Sequence, residues 1–343
     1  MAKESGSTRI TPNLGPKERR LASMVLHKAD ASVSDIAKLT GYSQSVVRHS
    51  LDKFREQKIL KRQTYIDVYR LGLSYSTLYF SLVPTSKRET NRLIHHLKAS
   101  PRVSYFVALG GDFDFCVDIC VRENLELFDF MQELSGEFGA LFNTKTLQPL
   151  LSLTDYPVAL GEDGRKCQKN LSFGISHEKR VPVDQMDHEL LSLLSNYPEL
   201  ESRELGKQLG ISSSTLYYRV QRLEKAGVIR GYRYLVDTSA FGLQSFVHCV
   251  YLRGVSQKLR NLLIEFCQQT PCITYHLECA GSWDFEFGSS VHTALEVMAV
   301  VNDIQHRFSS AIAKINTIPL FLYHKGSKYP FPREWSTEAI FGS

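Results

Sequence analysis

Residues Ser212–Gly242 read SSSTLYYRVQRLEKAGVIRGYRYLVDTSAFG, and the signals inside this stretch decide how the chain is built. Ser212 is an N-cap residue, because its hydroxyl can accept a free backbone N–H at a helix start. Leu216, Val220 and Leu223 follow at helical spacing and face a core. The opposite side carries Ser214, Tyr217, Tyr218, Gln221, Arg222 and Lys225. After Gly227, the run VIRGYRYLV has strand composition with Arg230 and Arg233 interspersed, which predicts a wing lying beside a nucleic-acid backbone.

Working outward, Leu190, Leu191 and Leu194 share one face of a short helix over Asp187–Ser195. Ser202 is expected to cap a second helix that runs to Leu209, where Gly210 supplies the tight exit. A short helix, a glycine turn and a third helix with cationic and hydrogen-bonding residues form the geometry that sets a recognition helix in the major groove. Arg and Gln engage base edges there, while Ser, Tyr and Lys reach phosphates.

The same grammar occurs earlier in the chain. Gly41-Tyr42-Ser43 falls on Gly210-Ile211-Ser212; Val47, Leu51 and Phe54 fall on Leu216, Val220 and Leu223; Gly72 falls on Gly242 after a one-residue slip. Gly111 to Asp114 (GDFD) matches Gly281 to Asp284 (GSWD), so the repeat spans nearly the whole chain. The first copy predicts helices over Lys17–His27, Ser34–Thr40 and Ser43–Gln57, with Ser45, Arg48, His49, Lys53 and Glu56 outward. Charged helix faces are usually just solvated, but two copies of one three-helix pattern favour a binding role. Residues 16–62 hold 11 Lys/Arg against 5 Asp/Glu, an excess larger than the +5 of the entire chain, whereas residues 184–233 hold 7 of each. The basic footprint therefore sits in the first unit.

At 343 residues the chain exceeds one hydrophobic core. Met1 to Pro16 lacks the apolar centre of a signal peptide and no stretch reaches the ~18 apolar residues of a membrane span, so a cytoplasmic location is expected. The 7 cysteines include no C-x-x-C pair and read as buried free thiols. Phosphate loop, nucleophile elbow and H-E-x-x-H are all missing from the sequence, so no enzyme, cofactor or metal site is indicated.

Each three-helix unit is followed by an alternation of strand and helix signals. In the first copy these cover Tyr75–Val83, Lys87–Ala99, Val103–Leu109, Phe113–Val121, Leu125–Phe138 and Thr144–Leu153. In the second they cover Ser245–Arg253, Gln257–Gln269, Ile273–Cys279, Trp283–Ser289, Thr293–Phe308 and Ala313–Tyr323. The order β-α-β-β-α-β is ferredoxin-like, giving an α+β chain with two winged helix-turn-helix units alternating with two such modules. Along Asp112–Val121, Asp112, Asp114, Cys116, Asp118 and Cys120 fall on one side and the apolar residues on the other. An open sheet face needs cover, so the modules are expected to pack through the faces bearing Asp114 and Asp284. A metal site from the three Asp is the weaker alternative.

The motif S-x-x-T-x-x-x-R-V-x-x-L-E-x-x-G-V-I-x-G-Y, followed by L-V-D-x-x-x-x-G, resembles the Lrp/AsnC family of transcriptional regulators. The first copy departs from it: Lys58 stands at the glycine position of Gly227, and Ser50 at that of Arg219. The resemblance implies double-stranded DNA as partner, an effector-sensing and oligomerising role for the α/β modules, a small-molecule effector such as an amino acid, and homo-oligomers built on an intramolecular pseudo-dimer. It places effector contacts at the turns with Gly111, Asp112 and Asp114 and with Gly281, Ser282 and Asp284. Closing a hairpin is the plainer role for those glycines. Siroheme decarboxylases resemble the same architecture and are the rival reading. They would need a histidine- and arginine-rich pocket, toward which His276 is the candidate. The divergent first copy leaves a DNA-silent interaction protein as a third.

The resulting division is a disordered N-terminus (1–16), a first winged unit (17–66), a first α/β module (67–156), a linker (157–183), a second winged unit (184–237), a second module (238–325) and a tail (326–343).

Overall fold

Each repeat opens on three helices whose ends are set by capping residues. In the computed structural model, which describes residues 14–26, 28, 29, 31–160, 170–175 and 178–342, the first repeat runs α1 (Pro16–Val25), α2 (Val33–Thr40), α3 (Gln44–Glu56), β1 (Leu60–Ile66), β2 (Ser74–Leu82), α4 (Lys87–Ala99), β3 (Val103–Leu109), β4 (Phe115–Val121), α5 (Asn124–Phe138) and β5 (Phe142–Asp155). A short strand β6 (Leu171–Gly174) precedes the second repeat, which begins α6 (Gln185–Asn196), α7 (Ser202–Leu209), α8 (Ser213–Lys225) and β7 (Ile229–Val236). It continues β8 (Gln244–Leu252), α9 (Gln257–Gln269), β9 (Ile273–Cys279), β10 (Phe285–Val291), α10 (Ala294–Arg307), β11 (Ile312–Gly326) and α11 (Thr337–Phe341).

Ser43 and Ser212 cap α3 and α8 by accepting the N–H groups of Val46 and Thr215 at 3.4 and 3.2 Å. Gly41 and Gly210 end α2 and α7 at φ 72° and 65°, a left-handed conformation open to glycine. Three expectations shift. Ser202 is the first residue of α7, with Glu201 at the cap and no side-chain bond there. The first helix stops at Val25, and His27 lies outside the described residues. Residues 1–13 of the N-terminal segment also lie outside them, but Leu14 is buried and Pro16 opens α1.

The two α/β modules form antiparallel sheets in the orders β5-β2-β4-β3 and β11-β8-β10-β9. They join at both edges, β3 with β11 and β9 with β5, so that all strands of the nine-stranded sheet except β6 close in a ring. Closure gives each of these strands a neighbour on both sides, so none is an edge strand. On β4, Phe115, Val117, Ile119 and Val121 pack under the helices with Leu93, Leu97 and Leu134, while Cys116 and Cys120 face the ring interior. The covered inner face is thus that of Asp118 and Cys116. Asp114 and Asp284, expected on the packed faces, sit at the rim and accept the backbone N–H groups of Leu82 and Leu252 at 2.7 and 2.8 Å.

The repeats are interlocked. The core of the first three-helix unit, with Leu21, Val47 and Phe54, includes Ala240, Phe241 and Leu243 of the second repeat. Val68, Leu71 and Leu73 of the first repeat join the cluster holding Leu190, Leu216 and Leu223 of the second. Asp67 N–H donates to the Val228 carbonyl and Asp237 N–H to the Ile59 carbonyl, each at 2.8 Å.

Two further expectations are corrected. The strand after each third helix is no free wing: β1 and β7 pair antiparallel from Leu60↔Val236 to Ile66↔Ile229 as one ribbon. Residues 157–183 do more than cross the surface, since β6 adds to β5 and buries Leu171 and Phe173; 161–169, 176 and 177 lie outside the described residues. The tail docks on α6, where Ser192 donates to the Phe331 carbonyl at 2.8 Å and the Tyr329 hydroxyl meets His188 Nδ1 at 2.8 Å.

Candidate nucleic-acid interface and inter-module cavity

On α8 the buried Leu216 and Leu223 hold the helix to its unit and leave Ser214, Tyr217, Tyr218, Gln221 and Lys225 exposed. Tyr217 and Tyr218 are 66% and 68% exposed, so neither is a packing residue. On α3, Val47 and Phe54 anchor the helix and Ser45, Arg48 and His49 are exposed. Arg48 and His49 occupy the positions that Tyr217 and Tyr218 take in the second copy.

Lys53 and Arg222, assigned to DNA contact with the others, are turned toward the first helix of their own unit. Lys53 Nζ lies 2.5 Å from Glu18 Oε1, and Arg222 pairs with the fully buried Asp187. Arg219 adds bonds to Asp187 Oδ1 at 2.7 Å and to both Asp184 oxygens at 2.9 Å. Glu18 and Asp187 also accept the N-cap N–H groups of Gly15 and Asp184. One acid therefore closes a helix start and fastens the third helix to it, in both copies. Arg230 and Arg233 are committed as well. Arg230 Nη2 lies 2.6 Å from Asp67 Oδ2, and buried Arg233 donates to the Asp155 and Tyr156 carbonyls over the Tyr65 ring.

The ring of strands and the ribbon together border a half-open cavity of about 340 Å³. Gln63 and Tyr65 of β1 line it with Thr77 and Tyr79 of β2, Asp118 of β4 and Glu286 of β10. Asp118 Oδ1 accepts the Thr77 hydroxyl at 2.7 Å. Glu286 Oε2 accepts the Tyr79 hydroxyl at 2.7 Å and the Trp283 indole N–H at 3.2 Å, while Oε1 accepts the Tyr275 hydroxyl at 3.1 Å. Burial pushes the Glu286 carboxyl up to about 7 although the three donors pull it down, and burial pushes Asp118 up to about 6.

The six residues expected to contact an effector do not line this cavity. Asp112 accepts Asn316 Nδ2 at 3.0 Å, and Asp114 and Asp284 hold backbone amides. Gly111 is exposed at φ 79°. A Cβ on Gly281 would strike Gln148, whose Oε1 accepts the Ser282 N–H at 2.8 Å and whose Nε2 donates to the Trp283 carbonyl. That turn is a packing joint between modules. His276 points out of the cavity, unlike its neighbours Tyr275 and Leu277; it meets the Tyr156 hydroxyl at 2.6 Å, stacks on Phe285, and burial lowers its pKa to about 4. Among the described residues, no group of three His, Cys, Asp or Glu is placed to hold a metal, and no helix is long and apolar enough to cross a membrane.

Sequence reasoning missed Gln63 and Glu286. The signal for Glu286 was a lone carboxylate inside the apolar run FEFGSSV (285–291). Gln63 carried no signal, because its place in the cavity follows from the pairing of the two wing strands.

A family model described as winged helix-turn-helix DNA-binding matches residues 183–230. The leucine-responsive regulatory protein of Rhizobium meliloti is 39% identical over 71 residues, 21% of this chain and 46% of that protein, so the chain matches about half of that relative's length. The HTH-type transcriptional regulator FL11 of Pyrococcus horikoshii is 33% identical over 107 residues, 31% of this chain and 68% of the relative. Among solved structures, the siroheme decarboxylase NirDL superposes over 92% of this chain and 93% of its own, with a TM-score of 0.57 and 12% identity, a likeness of fold.

Proposed function

Because the chain belongs to the Lrp/AsnC family of transcriptional regulators, we propose that it is a regulator that binds double-stranded DNA through two unlike recognition helices carried on one polypeptide. The observation that carries this reading is the pair of exposed faces at matched positions: Ser45, Arg48 and His49 on α3, and Ser214, Tyr217, Tyr218, Gln221 and Lys225 on α8. Arg48 suits a guanine edge and Gln221 an adenine edge, while serines, tyrosine hydroxyls and Lys225 suit phosphates. The interlocked repeats and the β1–β7 ribbon hold both heads to one scaffold.

A small metabolite controls that binding. The support is the cavity itself, lined at once by the ribbon that follows both recognition helices and by both modules. We place the effector there rather than at the Gly111 and Gly281 turns, whose polar groups are engaged. Whole chains associate further in this reading, with Leu125 and Phe128 of α5 and Leu295 and Met298 of α10 exposed at equivalent positions. Against the tetrapyrrole reading, its candidate His276 is turned away from the cavity, where His324 is the histidine among the described lining residues.

The test is selection from random duplexes with the full chain, followed by sequencing. The expected product is a site with two dissimilar half-sites about one helical turn, or a multiple of it, apart. No enrichment over input overturns the regulator reading, and a perfect palindrome overturns the unlike heads.

A further inference from the structure

The ring of strands has a gap in its pairing, and the internal repeat shows what would fill it. β2 pairs with β5 as far as Tyr75↔Leu150, and β8 pairs with β11 as far as Ser245↔Leu320, two ends that match at a shift of 170 residues. Beyond its end, β5 takes β6 as a neighbour, from Ser152↔Gly174 to Asp155↔Leu171. β11 runs on in the same way to Gly326, but among the described residues only β3 pairs with it there. Phe321, Leu322 and Tyr323 are exposed along this stretch. The tail does not enter the slot, since Ser327 N–H donates to the Ser104 carbonyl at 2.7 Å and holds the chain to β3.

β6 shows how a strand is held in the matching slot of the first repeat. Leu171 and Phe173 are buried and alternate with the exposed Ser172. Phe173 lines the cavity, its ring 6.0, 6.2 and 6.4 Å from those of Tyr75, Tyr69 and Tyr65, and Leu171 lies on Gly231 of β7. At the same shift of 170, the second slot has Ser245, Ser239 and Leu235 for the three tyrosines, so it has room for an aromatic ring. It also has Lys61 for Gly231 and Lys325 for Asp155. Lys61, Leu235, Tyr323 and Lys325 all line the half-open cavity, so slot and cavity are continuous.

The charges at this end decide which strand fits. Lys58 and Lys61 are exposed, and Lys325 donates one bond, to the Ser100 carbonyl at 2.6 Å. His324 lies against the rings of Phe106 and Phe115 on the helix side. Asp237, the acid at this end among the described lining residues, accepts the Ser239 N–H at 3.2 Å and its hydroxyl at 2.6 Å. Three lysines therefore face one engaged carboxylate. An uncovered strand end recruits another strand, and a basic one favours an acidic partner. The same charges disfavour a second copy, whose own β11 would set Lys61 and Lys325 against their like.

We propose that the uncovered end of β11 is a docking site for an extended acidic segment of a partner protein, which adds as a strand beside Leu322–Lys325 and seats an apolar side chain in the cavity as Phe173 does in the first repeat. Docking needs neither DNA nor a metabolite, so its test does not depend on the regulator reading.

The probe is the capped peptide EELSFGE, which carries the β6 residues LSFG between acids. It is titrated into the full chain beside KKLSFGK and beside EELSFGE N-methylated at its leucine and phenylalanine amides. Those are the amides that face the neighbouring strand in β6, because they alternate with Ile175, whose N–H donates to the Leu151 carbonyl at 2.8 Å. EELSFGE should saturate at one equivalent and bind at least about tenfold more tightly than KKLSFGK. The N-methylated peptide should lose binding. Hydrogen exchange should slow over 321–325 in the complex while 171–174 stays as in the free chain. Lys61→Glu, at an exposed position, should erase the preference for the acidic peptide. No saturable binding at millimolar EELSFGE, equal affinity for KKLSFGK, protection confined to other segments, or an unchanged preference in the Lys61 variant each overturns the proposal. Full binding of the N-methylated peptide overturns it too, since the slot would then hold acidic groups without adding a strand.

Discussion

The Arg222 guanidinium of α8 grips the Asp187 carboxylate of α6, which is wholly buried, so this cation braces two helices instead of reaching for DNA. Glu18 and Lys53 repeat the relationship at the same positions of the first unit. Removing Arg222 strips a buried charge of one of its two guanidinium partners. Arg222→Ala should therefore lower stability in urea by about 1–3 kcal/mol. Lys53→Ala, at a more exposed pair, should cost less than about 1 kcal/mol. Chemical denaturation of both variants checks the order, and a larger loss from Lys53 would break it.

The freely exposed residues should behave differently. Arg48→Ala should leave the denaturation midpoint nearly unchanged, since surface substitutions of this kind usually stay within roughly 0.5 kcal/mol. Yet it should cost roughly 1–3 kcal/mol on the selected site if it reads a base. Lys225→Ala should weaken specific and random duplexes alike and lower the salt slope by about 1. Fluorescence anisotropy across a salt series separates the two; equal losses of specificity would remove the division between reading and anchoring.

Lys58 adopts φ 56° at the position where Gly227 stands at φ 72° in the other copy. The left-handed region costs a side chain with a Cβ about 1 kcal/mol, so Lys58→Gly should stabilise the first unit, less the entropy that glycine adds to the unfolded chain. The expected net gain is roughly 0.5 kcal/mol, read as a higher urea midpoint at unchanged slope. Gly227→Lys should move in the opposite direction.

The stability contributed by Glu286 and Asp118 should fall as pH rises through the slightly acid range, opposed by His276 and His248, which burial keeps neutral by lowering them to about 4 and about 3. Burial raises Glu286 to about 7 from an ordinary 4.5 and Asp118 to about 6 from 3.8, so both folded-state values exceed the unfolded ones. Groups of this kind favour the fold while protonated; their contribution is complete below about pH 4 and is lost as each ionises in the folded protein. For Glu286 alone the loss approaches about 3 kcal/mol on passing pH 7. Measured against Glu286→Gln, which keeps the histidines, the parent's melting temperature should decline between about pH 5 and 8. A variant with the parent's slope would remove Glu286 as its source.

Much of the architecture was legible because it rests on local signals. Ser43 and Ser212 cap helices, Gly41 and Gly210 end them, and the alternation along β4 separates helix-facing from inward-facing residues whatever lies opposite. The exposed faces of α3 and α8 follow from helical spacing alone. Lys53 and Arg222 escaped that logic because a long cation at the edge of a face can turn either way, and the acids that claim them lie 35 residues earlier in the chain.

What the sequence by itself determined is the repeat, the element types and the two exposed helix faces, since each depends on neighbours within a few residues along the chain. What only the tertiary structure decided is the pairing of β1 with β7, the closure of the strands into a ring and the docking of the tail on α6. Those choices turn on edges and apolar faces far apart in sequence. They also create the cavity, because Gln63, Asp118 and Glu286 become neighbours only once both repeats have closed around the same space.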